Sequence, residues 1–424
     1  MSVAEQSLTE RITYDDLYRR WEQHNWSATG IDFSADRGGW EGLSDLQRRS
    51  AIWVYSMFLY GEDSVAENLS PYIDAAPTEE QKYFLTTQQV DEARHAIFFH
   101  RFFKEVIEAG DTVASTLAYT EPQLGWGYRQ VFDRLDRMAD ELRRDRSLPK
   151  FAQAITLYHL IVEATLAQPG QHFIEDYFVG TGSMPGFSEG MAHVSRDEQR
   201  HIGFGVKILS ELLAESDECR AAVDELLTEV MPWTSSVFIP PGWDREYTRC
   251  FGFELEDIAE WGIRALEQKW RAIGYPMDAM PPGVIPMDFS LPQRERGARM
   301  LRLVRAGVVG EPLPPAQVDS SPEIQELLFD LLARSVDAGA SNGEGFTAQW
   351  SFTDAEPWHI VVDNGSTRAE RGIAAGADVT LESGWYDFVA IAKGTLAPPK
   401  ALLQRRLRLR GGPRKLLRFR RLFG

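Results

Sequence analysis

The sequence predicts a mainly α protein: a four-helix bundle with extra helices, followed by a small α+β domain. Three observations carry this reading. Apolar residues recur at helical spacing from about Ser44 to Ser216, with Pro and Gly confined mostly to ends and connections. Two Pro-rich stretches, Tyr275–Pro292 and Glu311–Pro322, interrupt the second half of the chain. Beyond the second stretch, short alternating runs replace the helical pattern. At 424 residues the chain has room for two or three domains. The expected division is a bundle domain over 1–310, a Pro-rich linker over 311–319 and an α+β domain over 320–424.

In chain order, long helices are expected over Leu43–Leu69, Thr78–Ala109, Leu148–Phe178 and Phe187–Ala214, with a connecting helix near Tyr128–Arg144. Further helices follow near Cys219–Val230 and Glu254–Ile273. Pro276, Pro281, Pro282 and Pro286 cannot continue a helix, so they close this region before another helix at Gln293–Ala306. The second domain opens with a helix over Pro322–Ala338. Strands follow at Phe346–Phe352, Trp358–Asp363, Thr367–Ile373 and Val379–Glu382, bounded by Gly, Asn and Asp. Helices at Trp385–Lys393 and Pro399–Arg405, a strand at Leu407–Leu409 and a basic helix after Pro413 complete it.

Composition narrows the function classes. The two cysteines, Cys219 and Cys250, are far apart and lack ligand spacing, which argues against a disulfide framework or a thiolate zinc site. Met1–Asp16 is polar and acidic, without the basic start and apolar core of a secretory leader, and the longest apolar stretch, Ala51–Tyr60, is too short to span a bilayer. A cytoplasmic protein with no transmembrane segment is expected. The net charge of −18 argues against nucleic-acid binding. From Lys400 to Gly424, however, ten basic residues occur with no acid. That tail fits a solvated face, a dock onto the acidic bundle of its own dimer, or a foothold on anionic lipid or an acidic carrier; docking is the preferred reading.

The chemistry is carried by an internal repeat. Asp91-Glu92-Ala93-Arg94-His95 recurs as Asp197-Glu198-Gln199-Arg200-His201. In each word Glu and His stand at i and i+3, so a helix projects both from one face. A bundle that holds two metals asks for two such Glu-x-x-His helices and one Glu from each of two others. Glu62 lies in line with Ile52, Tyr55, Leu59, Ala66 and Leu69, and Glu163 with Thr156, Leu160 and Leu166, where an unpaired carboxylate is costly to bury. Thirty residues separate Glu62 from Glu92 and thirty-five separate Glu163 from Glu198, so each pair fits a helix hairpin. Four carboxylates and two imidazoles suit iron or manganese, with positions left for dioxygen. Zinc prefers fewer, tetrahedral ligands.

These residues resemble the ferritin-like di-iron carboxylate superfamily. The doubled Asp-Glu-x-Arg-His word is most similar to hydroxylase subunits of bacterial multicomponent monooxygenases. Ribonucleotide reductase small subunits and their ligand-binding oxidase relatives share the six ligands Glu62, Glu92, His95, Glu163, Glu198 and His201. The resemblance implies that these six are both the metal ligands and the catalytic centre, binding two iron ions or an iron–manganese pair with O2 as co-substrate. It further implies that Asp91 and Asp197 accept the outer N–H of the ligating imidazoles and that Arg94 and Arg200 brace the carboxylates; surface helix pairs are the alternative.

Three departures bear on mechanism. Phe99 stands where reductase subunits commonly place a radical-forming Tyr four residues after the first ligand His. Ala167 stands where the monooxygenases usually carry a Thr one turn after the third Glu. Val194 stands where arylamine N-oxygenases of the superfamily add a seventh ligand, His193 being one step off that face. Tyr158 stands near where a ligand-binding oxidase relative also has a Tyr by the metals, but a core tyrosine with a satisfied hydroxyl is the preferred reading; His100, His159 and His172 are read as structural or surface histidines. The glycine clusters lack the dinucleotide fingerprint, so electrons are expected from a separate reductase or ferredoxin, or from the substrate.

Gly376–Leu381, Trp385–Phe388, Lys393–Leu396 and Arg408–Gly411 resemble sterol carrier protein type 2 domains over roughly 320–424. This implies an apolar tunnel, and with it a hydrophobic or acyl-type substrate; a domain kept for dimerisation or docking is the other reading. The combined expectation is an oxidoreductase that hydroxylates, desaturates or N-oxidises an apolar molecule, as a homodimer. The alternatives are a lipid-binding scaffold with a structural metal site, or a ferroxidase.

Overall fold

The structure, a computed structural model, describes residues 12–341 and 343–423. Most of the N-terminal stretch read above as lacking a leader lies outside the described residues. Contacts divide the chain into two compact units, Met1–Leu226 with Val237–Met277, and Leu227–Ser236 with Asp278–Gly424. The expected boundary at 311–319 falls later than this division because Leu303, Ala306 and Val308 are built into the core of the second unit.

In the first unit the helices follow their capping signals. A helix α1 spans Tyr14–Gln23 and is started by Thr13, whose hydroxyl accepts from the Asp16 N–H while the Asp16 carboxylate accepts from Thr13. Ser44 with Gln47 starts α2 (Asp45–Asn68), and Thr78 with Gln81 starts α3 (Glu79–Phe102). Next come α4 (Trp126–Leu142) and α5 (Leu148–Ile155); the latter runs on as a π-helix over Thr156–Ala167 and then as a helix over Gln168–Thr181. A long α6 (Pro185–Glu215) and α7 (Leu255–Ile273) complete the elements needed here. The chain thus supplies both expected hairpins, α2 with α3 and the α5 continuation with α6. Helix α1 was not expected from periodicity. No helix among the described residues is long and apolar enough to cross a membrane.

The second unit is an α+β fold with a five-stranded sheet in the order β3-β2-β1-β4-β5. The strands are β1 Phe346–Phe352, β2 Trp358–Asp363, β3 Ser366–Arg371, β4 Val379–Ser383 and β5 Leu407–Arg410. Only β1 and β4 pair in parallel. Alternation puts Phe346, Ala348 and Trp350 of β1 and Trp358, Ile360 and Val362 of β2 in the core. Against them lie Ile324, Leu328 and Phe329 of α8 (Pro322–Arg334) and Trp385, Phe388 and Val389 of α9 (Trp385–Ala392). Phe329 stacks on Trp358 at 5.1 Å and on Phe388 at 5.7 Å, at the centre of this core.

The basic tail ends in α10 (Pro413–Phe423). Its Leu416, Phe419, Leu422 and Phe423 pack into that same core. Lys415 pairs with Asp378 at 2.8 Å, Arg418 with Glu344 at 3.0 Å and Arg410 with Glu382 at 2.9 Å. These three cations therefore find their acids within their own unit rather than on the bundle.

Candidate metal centre

All six expected ligands meet in the interior of the first unit. Glu62 comes from α2, Glu92 and His95 from α3, Glu163 from the π-helix, and Glu198 and His201 from α6. None is more than 7% exposed. Their donor atoms form two groups, Glu62, Glu92, His95 and Glu198, and Glu92, Glu163, Glu198 and His201, each with all atoms within 4.8 Å of one another. Glu92 and Glu198 belong to both groups, so both carboxylates would be within reach of either ion.

The imidazoles turn Nδ1 inward. His95 Nδ1 lies 3.2 Å from Glu62, 3.4 Å from Glu92 and 3.5 Å from Glu198. His201 Nδ1 lies 3.1 Å from Glu92 and 3.4 Å from Glu163. Each Nε2 faces an aspartate of the opposite word: His95 meets Asp197 at 3.3 Å and His201 meets Asp91 at 3.1 Å. The aspartates thus orient imidazoles as the resemblance implied, but crosswise, tying α3 to α6.

Both arginines join this brace. Arg94 Nη1 donates to Asp91 at 2.9 Å, and Arg200 donates to Asp197 at 3.0 Å and also to Asp91. Two indoles near the start of the chain complete it. Trp21 Nε1 donates to Asp91 at 2.9 Å and Trp26 Nε1 to Asp197 at 2.8 Å.

Whether the residues fit metal ions is tested by the atoms left over. Glu163 Oε2, Glu198 Oε2 and His201 Nδ1 are buried and make no hydrogen bond, although unsatisfied buried polar atoms are costly. Burial pushes the Glu62 carboxyl up to about 7, the neighbouring His95 pulling it back only in part. Glu163 is likewise pushed up to about 7 by burial against the pull of His201. Glu198 stands well above the usual range through burial and the nearby Glu163 and Glu92. Two divalent cations would neutralise four carboxylates and use the idle donor atoms, so the donor set fits them.

Sequence reasoning missed part of the surroundings. Gln88, one turn before Glu92, donates Nε2 to Glu163 Oε1 at 2.8 Å, and its Oε1 meets His159 Nε2 at 3.1 Å. Burial pushes His159 down to about 3, so it is a neutral ring that donates to Gln88. The one signal for this pair is a Gln and a His at core positions. Tyr158 has the satisfied hydroxyl expected of it, but its acceptor is the ligand Glu92, at 2.6 Å. Phe99 is fully buried and stacks on Phe58 at 5.5 Å. His193 lies off the site, stacked on Trp26 at 4.9 Å with Nδ1 facing Arg196.

An apolar cavity of about 60 Å³ adjoins the ligands. Met57, Phe58, Val65, Phe132, Val162 and Leu166 wall it, and Glu62, Glu92, Glu163 and Glu198 form its floor. Ala167 also faces it, so no hydroxyl stands at that position.

The family model of the ribonucleotide reductase small chain matches residues 10–233. Residues 323–424 match the alkyl sulfatase C-terminal family, which corrects the expected sterol-carrier assignment. Among solved structures, a variant R2-like ligand-binding oxidase with an anaerobically reconstituted Mn/Fe cofactor is 23% identical, with a TM-score of 0.53 over 62% of this chain and 93% of that one. The R2-like ligand-binding oxidase from Sulfolobus acidocaldarius is 26% identical, with a TM-score of 0.51 over 61% of this chain and 91% of that one. The family match and the fold support a non-haem di-metal oxidase. By the match over more than half its length, the chain belongs to the ribonucleotide reductase small-chain family.

Proposed function

We propose that the protein is a dioxygen-using oxidoreductase in which Glu62, Glu92, His95, Glu163, Glu198 and His201 hold two iron ions or an iron–manganese pair. It acts on an apolar or acyl-type organic substrate by hydroxylation, desaturation or N-oxidation. The observation that carries this reading is the apolar cavity floored by four of the ligand carboxylates. The bound ions supply the redox chemistry that reduces dioxygen. The chain orients the imidazoles through Asp91 and Asp197, holds Glu163 through Gln88 and keeps water from the reacting centre with its apolar walls. Phe99 cannot form a tyrosyl radical, which turns the reading away from radical generation for a reductase partner. Electrons come from a separate reductase or ferredoxin, or from the substrate.

The Mn/Fe cofactor of the similar oxidase favours testing both metal pairs. Metal per chain and oxygen uptake are measured after anaerobic loading, with and without apolar compounds of graded length. About two metals per chain and uptake stimulated by one of the compounds, with oxidised product, is the expected result. Glu92→Ala and Glu198→Ala should each lose both metal and turnover. Oxygen uptake with ferrous ion alone and release of ferric product would make it a ferroxidase. Failure to bind metal would leave a scaffold.

A further inference from the structure

The first unit carries a second recess, a cleft of about 330 Å³ between the helix Gln168–Thr181, α6 and α7. It shares no lining residue with the apolar cavity at the metal centre. Four glutamines, Gln168, Gln171, Gln199 and Gln268, bring side-chain amides to it from all three helices. Gln171 is only 4% exposed and its Nε2 makes no hydrogen bond, although an idle buried donor is costly. One carboxylate and one guanidinium stand in the wall, and both are answered: Glu175 accepts from the Ser195 hydroxyl, and Arg264 donates to Glu260 at 2.5 Å. Trp261 is half-buried, its ring held by His172 at 4.7 Å and Phe253 at 5.3 Å, and it gives the cleft apolar surface.

We propose that this cleft binds an uncharged, polyhydroxylated molecule of the size of a mono- or disaccharide. The other ligand classes each leave something unmet. An anion meets the Glu175 carboxylate and finds the guanidinium already engaged, while a cation meets Arg264. An apolar chain takes the amides out of water and gives them no partner. A primary amide offers donor and acceptor side by side, and a hydroxyl both donates and accepts, so one amide can pair with two neighbouring hydroxyls of a ring. The C–H face of the same ring lies on Trp261, joining apolar contact to a few placed polar groups. The volume stands at the small end of ligand sites, which suits a small sugar rather than a long glycan. The buried Gln171 donor then gains the partner it lacks. The cleft is separate from the metal centre, so the inference holds whatever metal pair or substrate that centre takes.

The test uses the full chain and saturation-transfer NMR with methyl glucoside, maltose and myo-inositol, beside glucose 6-phosphate and glucosamine as charged counterparts. At least one of the three neutral compounds should bind saturably, with transfer strongest to its ring protons, and neither charged sugar should bind more tightly. Gln171→Leu, which removes the buried donor, should weaken that binding by about 10-fold. Gln268→Ala changes an exposed residue of α7 and so tests the cleft even if the buried substitution fails to fold; it too should weaken binding, with metal per chain and helical circular dichroism unchanged. No saturable binding of any neutral compound, tighter binding of the phosphate or the amine, or binding untouched by Gln268→Ala and by a folded Gln171→Leu would each overturn the proposal.

Discussion

Two carboxyls poised near neutrality make metal loading a proton-coupled event. In the metal-free site Glu62 and Glu163 are held up to about 7 by burial, so below that pH they carry protons that a cation must displace. Above it they are ionised, and Glu198 is likewise pushed well above the usual carboxylate range by burial and the nearby Glu163 and Glu92. The sign follows: affinity falls as pH is lowered through 7, and binding at pH 6 to 7 releases protons. Calorimetric titration in two buffers of different ionisation enthalpy measures the release, and an affinity flat from pH 6 to 8 would refute the assignment. The Gln88 amide is the second residue-scale lever. Gln88→Leu removes the donor to Glu163 and strands His159, and it should weaken metal binding by about 10- to 100-fold. Gln88→Glu, which keeps shape but offers no amide donor, should not restore it.

Elements differ in how much of them the sequence reveals. Helices α2, α3 and α6 were legible because each has one apolar face and a capping signal or sharp end, and because the repeated word fixed which face looks inward. The π-helix was not. Every residue from Thr156 to Leu166 is buried, so no polar side marks the period, and a widened turn reads the same as an α-turn. Its signature appears only in geometry: the Thr165 hydroxyl reaches the Leu160 carbonyl at 2.6 Å and the Gln168 N–H reaches the Glu163 carbonyl, both five residues back. Trp21 and Trp26 were equally hidden, since contact with Asp91 and Asp197 depends on where α1 and the segment after it lie. Close approach of elements offers a test. A methyl at Gly205 of α6 would fall 2.3 Å from His159 Cβ, whereas one at Gly203 meets nothing within 4 Å. Gly205→Ala should cost ~1–3 kcal/mol by overpacking and should also weaken metal binding, because His159 positions Gln88. Gly203→Ala, on the same helix, should leave both unchanged or gain ~0.5–1 kcal/mol in stability, read by chemical denaturation.

At the scale of the whole molecule, one chain carries two units with separate kinds of core, and only the first was identified correctly by motif. Six ligands with fixed types and spacing leave little freedom, whereas the words of the second unit are backbone turns and apolar positions that many α+β domains share; hence the right fold class with the wrong relative. The tail shows the same limit. Ten basic residues suggested a partner for charge, while the residues that place α10 are the apolar ones between them. Leu422 is 2% exposed, and the Phe423 ring lies 5.5 Å and the Phe419 ring 6.2 Å from Trp350. A chain ending at Gly412 should therefore lose the near-ultraviolet dichroism of the aromatic cluster, bind a hydrophobic dye and melt earlier. Changing the exposed Arg414, Arg420 and Arg421 to Ser should do none of these. Metal per chain should stay near that of the full protein in both, because all six ligands belong to the first unit. If the shortened chain instead melts as the full one does and binds no dye, α10 is a solvated extension, and the Leu416, Phe419 and Leu422 face has no structural part in the sheet domain.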